Sequence, residues 1–244
     1  MKKLLLSIAL SFMAVTSAHS RVVTGVGTDW APHMGSELIN GGAMSVIVKE
    51  AFSRTGHGAE FKFINWNRAL KNVKEGENDF IIGAYYGDER ASTYRYSNPV
   101  YNVDLGLVAL DTLGVDTVEN LQNLKPYKIG VNQGYVYSKE FDTADYLNKV
   151  QVSSPTLNIR KLYRNRVDMV AGAFDVLRSI AIEEQQDTIK LVFIQPPLQT
   201  NALYIMVSKS IPDSEKIVSD FNKGLQLMRV DGTLDRILRE YLGR

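Results

Sequence analysis

The sequence predicts an α/β fold of two lobes, each a mainly parallel sheet flanked by helices. Two observations lead to this prediction. Strand and helix patterns alternate along the chain in two successive series, one before and one after Val108, and strand–helix–strand units form parallel pairs joined by right-handed crossovers. No linker or low-complexity run separates the two series. We therefore expect two closely packed lobes joined by extended crossings.

The first series contains three strands and two helices. Apolar residues three and four positions apart indicate the helices, and alternating or continuous apolar runs indicate the strands. In chain order the elements are a strand at 22–28, a helix carrying Met44, Ile47, Val48, Ala51 and Phe52, a strand at 59–65, a short helix carrying Ala69, Leu70 and Val73, and a buried strand at 80–86. Asn65 or Asn67 is expected to cap the short helix, because asparagine accepts hydrogen bonds from the free N–H groups of a first turn.

The second series shows the same strand and helix patterns and ends in a C-terminal helix. In chain order its elements are a strand at 127–131, a helix around 157–164, a strand at 167–171, a helix carrying Val176, Leu177, Ile180 and Ala181, a strand at 189–194, and a last helix carrying Leu234, Ile237, Leu238, Tyr241 and Leu242. Asp116, with Glu119 three residues later, predicts a capping box before Leu121.

Residues 1–20 have the pattern of a secretory signal peptide. Lys2 and Lys3 precede a short apolar segment, and Ala18-His19-Ser20 is a small-x-small cleavage site. The apolar segment is too short to span a bilayer, which takes roughly 20 residues. Cleavage near Ser20 would leave 224 residues, with 26 basic and 27 acidic side chains once the two lysines are removed. We expect a periplasmic protein that does not insert into the membrane.

Composition excludes several classes of protein. The chain has no cysteine and a formal net charge of +1, which excludes a disulfide scaffold, a thiolate metal site and a lipid anchor on cysteine. A near-neutral balance also argues against a nucleic-acid partner, since neutralising phosphates takes an excess of Lys and Arg. Beyond the signal only His33 and His57 remain, and no zinc, phosphate-loop or nucleophile motif is present. We expect no metal, no cofactor and no enzymatic activity.

One segment points to a binding site. Tyr85, Tyr86 and Arg90 follow the buried strand at 80–86, and ligands of open α/β sheets lie beyond the carboxyl ends of strands. An arginine there can hold a carboxylate through two parallel hydrogen bonds, with Trp30 and the two tyrosines as apolar walls. The alternative is that Arg90 is an ordinary surface ion-pair partner, and the residues alone leave both interpretations open.

The sequence resembles the periplasmic solute-binding proteins of amino-acid ABC transporters, which have the two-lobed type II fold. The matching segments are GTDWAP, GDER followed by YRYSNPVY, VENLQNLKPYKIGVNQG, RNRVDMV and FNKGLQLMRVDGTLDRILREYLG. Their order and spacing cover almost the whole chain after the signal. The resemblance implies one lobe from 21–103 with 202–244, a second from 104–201, and hinge crossings near Val103 and Asn201.

The resemblance also implies roles for particular residues. Arg90 matches the carboxylate-binding arginine of the family and Trp30 a flanking aromatic residue. Gly134 and Tyr135 match a loop that meets the carboxylate from the second lobe. Trp66 would lie near the cleft, or else pack in the core.

Departures from the family pattern concern the ligand. Amino-acid binders usually carry Thr or Ser where this chain has Tyr85, Gly87 and Tyr135, and an ammonium-binding Asp where it has Ala173. Asp175 could replace that carboxylate, or it could cap the following helix. The ligand is then an amino acid, another small carboxylate, or an amine held by aromatic faces.

We therefore expect a monomeric binding protein that closes its lobes over a small ligand and delivers it to an inner-membrane ABC permease. Two alternatives stay open: delivery of the closed form to a sensory receptor, and a dehydratase of cyclic acids on the same scaffold. The dehydratase would need an acid or base in the cleft, for which Asp29, His33 and Glu89 are the candidates.

Overall fold

The structure is a computed structural model that describes residues 21–133 and 135–243. The predicted signal peptide and Gly134, which was predicted to belong to a binding loop, lie outside the described residues. Within them, none of the helices is both long and apolar enough to cross a membrane.

The described residues form nine strands and eight α-helices, which alternate along much of the chain. The strands are β1 (Val22–Gly27), β2 (Gly58–Phe63), β3 (Phe80–Tyr85), β4 (Tyr94–Tyr96), β5 (Asn102–Leu110), β6 (Lys128–Asn132), β7 (Asn148–Val152), β8 (Met169–Ala173) and β9 (Leu191–Ser208). The helices are α1 (Ala43–Ser53), α2 (Trp66–Lys74), α3 (Asp88–Ala91), α4 (Lys139–Thr143), α5 (Pro155–Leu162), α6 (Phe174–Glu183), α7 (Ser214–Val230) and α8 (Thr233–Leu242). Short 3-10 helices occupy Ile39–Gly41, Asp111–Leu113, Leu121–Leu124 and Thr188–Lys190.

The strands join edge to edge in the order β2-β1-β3-β9-β5-β8-β6-β7, and β4 adds to β9. The pairs β1–β2, β1–β3, β6–β7 and β6–β8 are parallel, as predicted. The pairs that β5 and β9 make are antiparallel. The α/β class with flanking helices is confirmed, and the parallel pairs lie toward the two ends of the strand order while the antiparallel pairs lie in its middle.

Strand β9 connects the two halves of the sheet. The sequence predicted a strand only at 189–194, whereas β9 continues to Ser208 and pairs with β5 along its first part and with β3 and β4 along its last part. Val103 pairs directly with Asn201 in the β5–β9 ladder. These are the two predicted crossing points, and the division into lobes at them stays a prediction.

Helix α1 is buried as its apolar spacing predicts. Met44, Ile47, Val48, Ala51 and Phe52 are fully buried, and the Phe52 ring lies 5.4 Å from that of Phe221 in α7. The two helices cross at Gly224, where an added Cβ would lie 1.8 Å from the carbonyl oxygen of Ala51. A larger residue at this position would force the helices apart.

Two helix-cap predictions can be compared directly with the structure. The Asn65 side chain accepts a hydrogen bond from the Asn67 N–H at 3.0 Å and caps α2, as predicted. The capping box at Asp116 and Glu119 was wrong. Asn120 caps the 3-10 helix Leu121–Leu124 by accepting from the Gln122 N–H at 2.8 Å, because it stands directly before the first turn.

Candidate functional site

A cavity of about 240 Å³ lies where four strands end. Strands β1 and β3 lead to it from one half of the sheet, and β6 and β8 from the other. Its lining is mainly aromatic and aliphatic, and consists of Trp30, Tyr85, Leu105, Asn132, Tyr135, Val136, Tyr137, Pro155, Gly172, Ala173, Val176 and Leu177. A position beyond the carboxyl ends of parallel strands is the usual place for a ligand in an α/β protein. We call this space the aromatic cavity.

A second cavity, of about 260 Å³, adjoins the first. The two share Trp30 and Tyr85, and the second adds Thr28, Met34, Trp66, Gly83, Ala84 and Arg90. We call it the arginine cavity. Sequence analysis predicted Trp30, Tyr85, Trp66 and Arg90 as site residues, and all four line one or both of these cavities.

Trp30 is held by the loop after β1. Its backbone N–H donates to the Met34 carbonyl at 2.7 Å. The centre of its ring lies 4.4 Å from that of His33 and 5.6 Å, edge to face, from that of Tyr85. The fully buried His33 in turn has its Nδ1 3.1 Å from the Tyr101 hydroxyl. Packing and hydrogen bonding therefore fix the tryptophan between the two cavities.

A bulge in β3 sets the direction of Tyr85. Between Ile81 and Ala84, β3 advances three residues while its partner β9 advances two. The extra residue is accommodated at Gly83, which has φ +71°, a conformation that side chains with a Cβ rarely adopt. A Cβ on Gly83 would also lie 2.4 Å from Cε of Met34. The bulge shifts the alternation of the strand, so Tyr85 faces the cavities and the next residue does not.

Tyr85 remains a neutral hydrogen-bond donor. Burial, and to a lesser extent the negative charge of Asp175, raises the pKa of the Tyr85 hydroxyl well above the ordinary value for tyrosine. The hydroxyl therefore keeps its proton and can donate to an anionic ligand.

Arg90 lies in the short helix α3, half-buried. Its guanidinium carbon is 5.8 Å from the centre of the Trp66 ring. A Cβ on Gly87 would lie 3.1 Å from its Nε and 3.2 Å from its Nη2, so the guanidinium rests over the bare glycine backbone. Among residues 21–133 and 135–243, no carboxylate forms an ion pair with it. The alternative of a surface ion-pair partner finds no support there, and the guanidinium is available to an anion.

The opposite side of the aromatic cavity is neutral. Asn132, at the end of β6, accepts a hydrogen bond from the buried Asn158 amide at 3.0 Å, and its own N–H donates to the Tyr137 hydroxyl at 2.8 Å. With its Oδ1 engaged, Asn132 can offer its side-chain amide N–H to a ligand. Burial raises the pKa of Tyr137 above the ordinary value, so this hydroxyl too is neutral.

Sequence reasoning missed Asn132 and Tyr137. Asn132 ends an apolar strand in the second series, just as Tyr85 ends one in the first. A search for polar residues at every strand end, and not at one only, would have found it.

The remaining predicted site residues lie in different places. Tyr135 is 57% exposed at the rim of the aromatic cavity. Tyr86 faces away: its ring packs 4.9 Å from that of Tyr96 and 6.4 Å from that of Tyr204. Asp175 lines a third cavity, between α6 and the carboxyl end of α8.

Asp175 is not the cap of α6. Ala173 occupies the cap position, and Asp175 is the second residue of the helix. A carboxylate there still favours the helix by interacting with the N-terminal end of its dipole. Ala173, where the resemblance implies an ammonium-binding Asp in other family members, lines the aromatic cavity.

The candidate acid and base groups do not converge on a reaction centre. Asp29 accepts hydrogen bonds from the backbone and hydroxyl of Ser36, His33 is buried beneath Trp30, and Glu89 is exposed. The described linings of both cavities include none of the three. In the part of the chain that the structure describes, no three His, Asp or Glu side chains are grouped as metal ligands would be.

A family model matches nearly the whole described chain. The match runs over residues 24–244 and is to the bacterial extracellular solute-binding proteins, family 3. The chain belongs to this family. The resemblance seen in the sequence is thereby confirmed, and the protein is a solute-binding protein by descent.

Known relatives and solved structures agree with the family assignment. The chain is 24% identical over 202 residues to a probable histidine-binding protein of Campylobacter jejuni, a match that covers 80% of this chain and 74% of that one. Its fold is similar to the L-cystine solute receptor of Neisseria gonorrhoeae, with a TM-score of 0.76, 17% identity and coverage of 93% and 95%. The second substrate-binding domain of Lactococcus lactis GlnP gives a TM-score of 0.75, 20% identity and coverage of 91% and 96%. The type II periplasmic binding fold of this solute-binding protein is confirmed.

Proposed function

We propose that this solute-binding protein captures an amino acid or a related small carboxylate in the two adjoining cavities and delivers it to an inner-membrane ABC transporter. The observation that carries the proposal is the Arg90 guanidinium, which borders a cavity and lies over Gly87 without an ion-pair partner among the described residues. The relatives named for histidine and cystine support a ligand of amino-acid size. We further propose that the chain acts in the periplasm, as a monomer, after cleavage near Ser20.

Closure of two lobes over the ligand would produce the conformation that the transporter recognises. We propose that residues 21–103 with 202–244 form one lobe and residues 104–201 the other, with crossings near Val103 and Asn201. The lining supports this, because Trp30 and Tyr85 come from the first set and Asn132 and Ala173 from the second. A ligand that touches both sets stabilises the closed state and shifts the population toward it.

The ligand site can be tested by calorimetry. Purified mature protein is titrated with the twenty amino acids and a set of small carboxylates, and Arg90→Ala is compared with the parent protein. Removing one partner of a buried, hydrogen-bonded charge pair costs roughly 2–5 kcal/mol, so we expect Arg90→Ala to bind at least about 30-fold more weakly. Arg90→Lys should fall between them, because it keeps the charge and loses the planar fork.

Arg95→Ala is the matched control. Arg95 is five residues away and pairs with Glu215 at 2.7 Å outside both cavities, so its loss should leave affinity unchanged. Normal binding by Arg90→Ala, or no heat from any compound in the panel, would contradict the proposed site. Delivery is tested separately: deleting the gene should lower cellular uptake of the compound that binds.

A further inference from the structure

The two cavities carry an unbalanced charge. Arg90 is the sole charged side chain among the described residues that line either of them. Asp175 lines the third cavity, together with Arg178 and Glu240, and its charge reaches the Tyr85 hydroxyl without being part of either described lining. Among the residues of the two linings, an anion therefore has a charged partner and a cation has none.

An α-amino acid would place a cation in this surrounding. Its ammonium group is attached to the carbon next to the carboxylate, so a carboxylate on Arg90 brings the ammonium into the arginine cavity as well. The described lining there offers hydroxyls and aromatic rings but no carboxylate. Moving an ammonium group from water into such a site is costly without a charged partner. Cation–π contact with an aromatic ring offsets part of that cost, but the Trp66 ring is already in contact with the Arg90 guanidinium.

The aromatic cavity favours a hydrocarbon body. Leu105, Val176 and Leu177 line it beside the rings of Trp30 and Tyr85. Its volume of about 240 Å³ lies just below the range of roughly 300–1,000 Å³ that is common for ligand sites. A small apolar group fits this space and lining.

We propose that the ligand is a small carboxylate with an apolar or aromatic body and no ammonium group, its carboxylate on Arg90 and its body in the aromatic cavity. This inference rests on the proposed function and specifies its ligand class. Tyr85 supports it from the boundary between the cavities. Its hydroxyl can donate to a carboxylate and gives an ammonium group only a neutral oxygen.

Matched pairs of ligands test the inference. We would titrate the protein with L-leucine and 4-methylpentanoate, and with L-phenylalanine and 3-phenylpropanoate, each pair differing only in the ammonium group. We expect the carboxylate of at least one pair to bind tenfold or more tightly than its amino acid. Equal or tighter binding of the amino acid in every pair that binds would overturn the inference.

Three further variants test what a carboxylate at position 173 or 175 does for the ligand. Ala173→Asp places a carboxylate in the lining at the cap position of α6, where Asp is well tolerated. It should shift the preference toward the amino acid at least tenfold, and the uncharged Ala173→Asn should not. Asp175→Asn should leave carboxylate affinity the same or higher. A tenfold loss of amino-acid binding in Asp175→Asn would show that Asp175 holds an ammonium group, and would also overturn the inference.

Different experimental results would contradict this inference and the proposed function. If an amino acid binds best and Arg90→Ala abolishes its binding, the binding function stands and the ligand class is wrong. If no member of either ligand class binds, the proposed function fails, and the inference fails with it.

Discussion

The two sides of the aromatic cavity are built in different ways. The first side, with Trp30, Tyr85 and the adjoining Arg90, depends on unusual backbone: a bulge at Gly83 and a bare glycine beneath the guanidinium at Gly87. The second side, with Asn132 and Ala173, sits on regular parallel strands and is organised by side-chain hydrogen bonds. We propose that the two sides have different roles, in which the first supplies the charge that anchors the ligand and the second supplies a neutral wall.

The largest expected effect is on the first side, at Gly83. Gly83→Ala would put a Cβ at φ +71° and within 2.4 Å of Cε of the buried Met34. Backbone strain and overpacking together should cost about 2–4 kcal/mol of unfolding free energy. Denaturant unfolding measures this loss.

Gly76→Ala is the control for Gly83→Ala. Gly76 has φ +80°, but a Cβ there would meet nothing within 4 Å, so only the backbone strain of about 1–2 kcal/mol applies. If the two variants lose the same stability, the contact with Met34 does not constrain the bulge.

A smaller effect is expected on the second side, at Asn158. Asn158→Ala removes the amide that donates to Asn132 and leaves a buried acceptor without its partner. The loss should be about 1–3 kcal/mol of unfolding free energy. In the double variant with Asn132→Ala the two losses should be less than additive, because both changes remove the same hydrogen bond. Full additivity would mean that the pair does not act as a unit.

The smallest effect concerns the titration of Tyr85. Burial and the Asp175 charge raise the pKa of Tyr85 above the ordinary value, so its folded form stays protonated where an unfolded tyrosine ionises, near pH 10. Stability from this residue is complete below about pH 10 and is lost as the pH rises further, because the unfolded state then releases a proton that the folded state keeps. Ultraviolet titration of Tyr85→Phe should match that of the parent up to about pH 11. Loss of one tyrosine transition near pH 10 in the variant would show that Tyr85 ionises normally.

The sequence was sufficient for elements whose signal is local. The spacing of Met44 to Phe52 predicts the buried face of α1, and Asn65 predicts the start of α2, because both depend on neighbours within a few positions. The position of Arg90 after a buried strand likewise pointed to the site.

Features that depend on pairing between distant strands could not be predicted in this way. Simple alternation along 80–86 does not reveal the bulge at Gly83, so the sequence could not separate Tyr85, which faces the cavities, from Tyr86, which packs against Tyr96. The length of β9 was missed for the same reason. Its middle contains Pro196, Pro197 and polar residues, and it remains a strand because β5 pairs with it on both sides of that interruption.

The most direct test of the account is a crystal structure of the protein with the tightest-binding member of the ligand panel. We expect the ligand carboxylate on the Arg90 guanidinium, at about 2.7–3.2 Å from Nε or Nη2, with the rest of the ligand between Trp30 and Asn132. A ligand bound elsewhere, or one in the cavity whose carboxylate makes no contact with Arg90, would contradict it.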